Sequence, residues 1–460
     1  MRTVLAIARH AIAGAVRSRV VATLIGLLLV TMVSLPLMLK SDGTLTGHVR
    51  IVLGYTLGLA SFLLALATLW AGSAALSVEI QDKQAHLLLT KPVRKVQIWL
   101  GKWFGLLALN AVLLTFCGLV LCGMLWWTIR PDTLSEEDRH RLHGEVLAAL
   151  TTHGPALQGL DEAVDQRVQA LLASGEVDPH ISETAIRKKV HAAMLRSRYL
   201  VPEGEERTWL FDLPRPLDGD RDVLVSYRFD PSRPAGLEIT GQWRVKPVGP
   251  VEPYRVQSRL STGKRTAVRV PANVVAGASQ IEVTYMNEPG DESGAALFDP
   301  RDGLVLRTYE GGFVGNLFRA LLIVYARLAL LAALGLTAGF MLSTPVALFT
   351  SLVVAILLQC PGYVESVASG AFMFEGHSHG DHVHEGAGLW DLFVQGLFHA
   401  FNVILKPLQD PHVLGLLGDA ERIPWLAAGR ALLVKMVVYS GLLAVLGVRI
   451  LNRREIGLPS

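Results

Sequence analysis

Long uncharged runs alternate with charged stretches along this chain, and the lengths of those runs set the fold class. Residues 20–39, 54–78 and 103–129 hold no Asp, Glu, Lys or Arg. Each matches the roughly 20 apolar residues that a helix needs to cross a bilayer core. Residues 328–364 are also uncharged but too long for one crossing. Ser343-Thr344-Pro345 predicts a break inside that run, because proline removes a backbone donor and small polar residues suit a turn. Residues 431–448 form a last run, interrupted by Lys435. The pattern predicts six spans.

The polar stretch between the third and fourth spans changes character along its length. Ser135-Glu136-Glu137-Asp138 resembles a helix-capping box, and Asp178-Pro179 suits a helix start. Apolar and polar residues then alternate over 222–229, 236–245, 254–260 and 280–285, with Pro, Gly, Asp and Asn between them. That spacing predicts an antiparallel β-sandwich. The expected fold class is therefore an α-helical membrane protein with six transmembrane helices and an extracytoplasmic α+β insertion. Residues 1–129 carry an amphipathic helix and spans one to three. Residues 130–205 form the helical part of the insertion and 206–315 its sandwich. Residues 316–460 carry spans four to six.

Two amphipathic stretches accompany the spans. In residues 1–19, Val4, Leu5, Ile7, Ala8, Ile12 and Val16 share one helical face, flanked by arginines. Such a helix can lie on the inner membrane surface or extend the first span. In residues 389–406, Asp391, Gln395, His399, Asn402 and Lys406 trace one polar stripe. This reads as an interfacial or re-entrant helix at the outer face, with an extra span as the competing reading.

Composition adds that the chain is 51% hydrophobic and only 18% charged, too apolar for an ordinary soluble protein of 460 residues. The net charge of +3 matters less than its placement. Arg2, Arg9, Arg17 and Arg19 precede the first span. Lys83, Lys91, Arg94, Lys95 and Lys102 fall between the second and third. Arg449, Arg453 and Arg454 follow the last. Basic residues near span ends favour the cytoplasm, so both termini are expected inside. Cys117, Cys122 and Cys360 lie in or at the end of apolar runs and give no disulfide framework. Gly263-Lys264 lacks the rest of a phosphate-binding loop. Asp161, Glu162, Asp165, His140 and His143 sit in a polar region with no nucleophile signature and read as solvated charge. Nothing points to nucleic acid, and no catalytic constellation is legible.

The stretch 79–102 holds Glu79 and Asp82, then Leu87-Leu88-Leu89, Pro92-Val93-Arg94-Lys95, Ile98 and Gly101-Lys102. The three leucines are too few to span and too apolar to leave in water, so they predict docking on a soluble partner or on the membrane. Arg94 and Lys95 suit acidic groups on that partner or anionic headgroups. A basic inner loop that only sets topology is the plainer reading. This stretch resembles the coupling region of type-2 ABC exporter permeases, with Gln84-Ala85 where that family has Gly-Thr. The resemblance covers the spans and this loop, not the insertion. It implies a membrane permease subunit in a bacterial inner membrane, a separate cytoplasmic ATPase that binds ATP and magnesium, a second permease copy or paralogue, and export. A non-transporting subunit that moves an outer domain, or an outer metal-handling protein, are the alternatives.

Two further groups are singled out. His377, His379, His382 and His384, with Glu375, Asp381 and Glu385, can bind zinc or copper, or can be a flexible loop without that role. Arg319, Arg327, Arg430 and Lys435 stand in the fourth and last spans. Basic side chains near span ends snorkel to the interface. The sharper reading is that Arg327 and Lys435 line a path for an anionic or amphiphilic substrate.

Overall fold

The computed structural model describes residues 2–39, 45–81, 94–128, 142, 144, 146–174, 183–229, 238–261, 265–289, 294–300, 303–359, 396, 399, 403 and 413–453. The chain divides into two compact units, Met1–Ala148 with Gly312–Ser460, and Ala149–Gly311. In chain order the helices are α1 (Arg2–Arg17), α2 (Arg19–Met38), α3 (Leu45–Gln81), α4 (Lys95–Thr128), α5 (Leu160–Ser174), α6 (Glu183–Tyr199), α7 (Ala272–Val275), α8 (Phe313–Met341), α9 (Thr344–Gln359), α10 (Val413–Gly418), α11 (Trp425–Ala431) and α12 (Ser440–Arg453). A π-helical segment, Leu432–Tyr439, joins α11 to α12.

Five stretches are long and apolar enough to cross a membrane: Arg19–Pro36, Gly47–Ala75, Lys95–Trp127, Phe313–Met341 and Trp425–Asn452. They mark the chain as a multi-pass membrane protein. The predicted fifth span is the shorter apolar helix α9, so the described residues hold five such stretches rather than six. At about 1.5 Å per residue its length falls short of the roughly 30 Å hydrocarbon core. The expected break is present: α8 ends at Met341, Leu342 is extended, and α9 begins at Thr344 with Pro345 in its first turn, where the missing donor costs nothing.

The helix of the fourth span begins at Phe313, ahead of the uncharged run from 328, and contains Arg319 and Arg327. That of the last begins at Trp425, ahead of the run from 431, and contains Arg430.

Small residues hold the bundle together. A Cβ on Gly339 would stand 2.5 Å from the carbonyl oxygen of Ser73, and one on Gly335 would stand 3.1 Å from that of Leu69. Gly72 faces Ala332 and Gly335 at equally short range. Helices α3 and α8 therefore meet backbone to backbone, the close approach that small residues permit where lipid offers no hydrophobic drive for association. Ala329, Ala332, Ala333 and Leu336 continue the same seam, packed with Trp99 and Trp103 of α4.

Contacts along these helices fix their relative direction. At one end Lys95 meets Leu451, Lys102 meets Ala75, and Gly339 meets Ser73. At the other end Arg50 meets Gly418, and Asn316 meets Glu421. Helices α3, α8 and the last span thus run parallel, and α4 runs against them. The chain leaves this unit after α4 and re-enters at α8 from the same end.

The second unit is built from strands and a helix pair. Its strands are β1 (Ala148–His153), β2 (Leu200–Val201), β3 (Glu206–Asp212), β4 (Val223–Tyr227), β5 (Glu238–Pro247), β6 (Tyr254–Ser261), β7 (Thr266–Val270), β8 (Gln280–Asn287), β9 (Ala296–Leu297) and β10 (Leu304–Gly312). One four-stranded sheet has the order β1-β10-β4-β7 and another β3-β8-β5-β6, with β2 and β9 paired separately. In the second sheet Trp209, Phe211, Trp243, Val245, Ile281, Val283 and Tyr285 fall on one face, as the period of two dictates. They share a core with Val223, Val225, Tyr227, Leu304 and Leu306 of the first sheet. Trp243 sits at its centre, its ring 4.6 Å from Tyr227 and 4.7 Å from Tyr285, and its indole N–H donates to Ser258 Oγ at 3.0 Å. Gly241 leaves room for the Tyr285 phenol, which a Cβ there would overlap.

The expected strands at 222–229, 236–245, 254–260 and 280–285 appear as β4, β5, β6 and β8. Strands β3, β7 and β10 were not anticipated, and β1 lies in the region expected to be helical. Beside β1, that region carries α5 and α6, packed on each other through Leu160, Val164, Val168 and Ile186. The predicted capping box at 135–138 and the start at Asp178-Pro179 lie outside the described residues.

Candidate functional site

The end of the bundle that bears the basic clusters is built around α1. Its inner face sits on α4, because Gly101 and Gly105 leave room for it. A Cβ at Gly101 would fall 2.7 Å from Ile7, and one at Gly105 would fall 2.6 Å from the Ala8 carbonyl oxygen. Extended backbone at Ser18 separates α1 from α2, so α1 is a docked helix and not a continuation of the first span. Ala8 and Ala15 are buried, while Arg2, Arg9, His10 and Arg17 are exposed.

Lys95 and Lys102 are both engaged within the bundle. Lys95 Nζ donates to the Leu451 carbonyl at 2.8 Å, a cation on the closing turn of the last helix, where the dipole favours it. Lys102 is 2% exposed, and its Nζ donates to the Ala75 carbonyl at 2.5 Å. Arg94 is exposed at the residue where α4 is about to begin, with its backbone N–H facing Gln97 Oε1 at 3.4 Å. Glu79 falls within α3. Asp82, Leu87, Leu88, Leu89 and Pro92 lie outside the described residues, as do His377, His379, His382 and His384. Among the described residues no three His, Cys, Asp or Glu side chains come together as metal ligands.

The opposite end is fastened by two buried polar side chains of α8. Asn316, fully buried, donates to the Glu421 carbonyl at 2.8 Å and accepts from the Ile423 N–H at 2.8 Å. Arg319 donates from Nη1 to the Ile423 carbonyl at 2.6 Å and from Nε to the Gly315 carbonyl of its own helix at 3.0 Å. Its guanidinium lies 5.5 Å from the Trp425 ring. These bonds serve a non-helical stretch whose backbone groups have no helical partners, which is costly wherever water is scarce. Arg319 is thereby a structural clamp on the entry to the last span.

Lys435 is 2% exposed and lies in the π-helical segment, midway along the last span. Arg327 is half-buried on α8. Leu330, one turn after Arg327 on the same face, packs against Val434, Tyr439 and Leu443. Ser440 Oγ donates to the Lys435 carbonyl at 2.8 Å and approaches that of Ala329 at 3.5 Å. The Trp103 indole N–H also donates to Ala329, at 2.9 Å. The structure thus brings the Arg327 and Lys435 segments onto facing surfaces of two spans. Sequence reasoning missed Lys102, Asn316 and Trp103 as interior polar groups; a lone polar residue inside an apolar run was the signal available.

The chain matches no protein-family model, no curated protein and no solved structure in the three comparisons made.

Proposed function

We propose that this chain is the membrane permease subunit of an ATP-driven ABC transporter, an exporter, driven by a separate cytoplasmic ATPase through residues 79–102 and working beside a second copy or paralogue. The observation that carries this reading is the convergence at one end of the bundle. There the docked helix α1, the start of α4 and the close of α12 are joined, with Arg94 exposed just ahead of α4. Force applied to that loop would reach α4 and the last span together. Sidedness follows from the basic residues gathered at this end. A sixth crossing is part of the proposal. Its support is that α8 ends at the basic end while Val413 opens the helix that meets Arg50 at the opposite end. The two sheets that share one aromatic core are read as an extracytoplasmic β-sandwich.

The test is purification of the tagged full chain from its own membranes. A nucleotide-hydrolysing partner is expected at constant stoichiometry, and Leu88→Asp is expected to release it while the chain still purifies as a folded species. Retention of the partner by that variant, or full function of the chain alone, overturns the coupling.

A second reading, transmission of movement to the insertion without transport, draws support from the seam of Gly72, Gly335 and Gly339, which closes α3 on α8 by backbone contact. Labelling of single cysteines along α3 and α8 in the ATP-bound assembly separates the two. Reagent access at mid-depth supports transport, and complete protection supports transmission.

A further inference from the structure

We propose that the outer face of α1 binds anionic phospholipid at the bilayer surface, with Arg2, Arg9 and Arg17 holding lipid phosphate and Leu5, Ile12 and Val16 set against the adjoining acyl chains. The contact is independent of the transport reading and needs no ATPase.

The surface of α1 divides into three faces. The first is covered by protein: Ala8 and Ala15 are buried, and Gly101 and Gly105 of α4 admit Val4, Ile7, Ala8 and Ala11 at close range. The second is apolar and uncovered. Leu5, Ile12 and Val16 stand at helical positions i, i+7 and i+11, which places them on one stripe. Leu5 is 74% exposed and Val16 48%. The third is basic. Arg9 and Arg2 border the apolar stripe and Arg17 lies beyond them, all three exposed. Their side chains have no ion-pair or hydrogen-bond partner among the described residues. Apolar carbon running beside unpaired guanidinium matches the boundary of a bilayer, where acyl chain adjoins phosphate within a few ångströms. An acidic patch on a soluble protein would satisfy the arginines but leave Leu5 without an apolar contact. Position along the chain agrees. Extended backbone at Ser18 ends α1, and the first stretch able to cross a membrane opens at Arg19. Helix α1 therefore stands at the level where that stretch meets the headgroups. A guanidinium offers paired N–H donors to a phosphate, and three of them favour a net-negative headgroup over a zwitterionic one.

Two measurements on the full chain test this. The first places a photoreactive side chain on the apolar stripe, as Leu5→benzoylphenylalanine, and irradiates the chain in its own membranes. A phospholipid-mass adduct is expected. An adduct only to polypeptide, whether a second copy or an ATPase, overturns the proposal and makes this face a protein interface. The second is native mass spectrometry of the purified chain with phosphatidylglycerol and phosphatidylcholine of identical acyl chains. Wild type is expected to retain the anionic lipid about tenfold better. The combined variant Arg2→Gln, Arg9→Gln and Arg17→Gln is expected to cut that preference about fivefold, and the matching lysine variant to keep most of it. Equal retention of both lipids by wild type, or an unchanged preference in the glutamine variant, overturns the proposal. The substituted side chains are all exposed, so the fold does not depend on them.

Discussion

The bundle and the strand-rich unit pack by opposite means. Helices α3 and α8 meet through Gly72, Gly335 and Gly339, with alanines continuing the contact. The sheets meet through Trp209, Phe211, Tyr227, Trp243, Tyr285 and Phe298. The difference follows from solvent. In water, burying a large aromatic side chain is strongly favourable, so a core gains by filling itself with rings. Between lipid-facing helices that gain is absent, and close van der Waals approach takes its place. Buried polar side chains brace main-chain carbonyls in both units: Asn287 donates to those of Val201 and Gly294 in the second, and Lys95, Lys102, Asn316 and Arg319 supply donors in the bundle.

The largest effect that separates the two regimes is expected from Trp243→Ala. Removing the central ring should cost about 3–5 kcal/mol. Limited proteolysis should cut within residues 149–311 while the spans stay protected; co-operative loss of both units would break the comparison. Gly339→Val comes next, at about 1–3 kcal/mol or more, because its side chain meets a main-chain oxygen that cannot step aside. The matched control is Gly58→Val, since a Cβ at Gly58 meets nothing within 4 Å. Thermal unfolding in detergent should drop for the first variant alone. Asn316→Ala should cost about 1–3 kcal/mol by stranding the Glu421 carbonyl and the Ile423 N–H in a dry setting. Faster hydrogen exchange confined to residues near 421–423 would be the signature.

The smallest effect concerns alkaline pH. Burial, the dominant cause, pushes the Tyr227 phenol from 10.0 up to about 12 and raises that of Tyr285 as well. A raised folded-state value means the unfolded chain loses these protons first. The stabilisation is complete below pH 10 and declines as pH rises towards 12. Tyrosinate absorbance should therefore rise late and together with loss of the near-ultraviolet dichroism of the core. A rise near pH 10 with the core intact would show those rings to be wet.

The two units also differ in how much of them the sequence discloses. Uncharged runs reveal the long helices because length and apolarity are the physical requirement itself. Their ends are obscured where a charged side chain is held within a helix, as Arg319 is through its bond to the Ile423 carbonyl. Strands β4, β5, β6 and β8 alternate clearly. Strand β10 does not: Leu304, Val305, Leu306 and Arg307 are all buried, so polarity carries no period there. Strand β1 reads as part of a helical region, and only pairing with β10 makes it a strand. Of the stretch 79–102, Arg94 and Lys95 stand at the start of α4. That Lys95 is bound to Leu451 depends on a contact between residues hundreds of positions apart, which no local pattern encodes.

That bond has a practical corollary. With the ammonium of Lys95 seated on the final helical turn, the third and last spans are yoked at one end. A spectroscopic reporter on Asn452 would register displacement at Arg94 with no label on the loop itself.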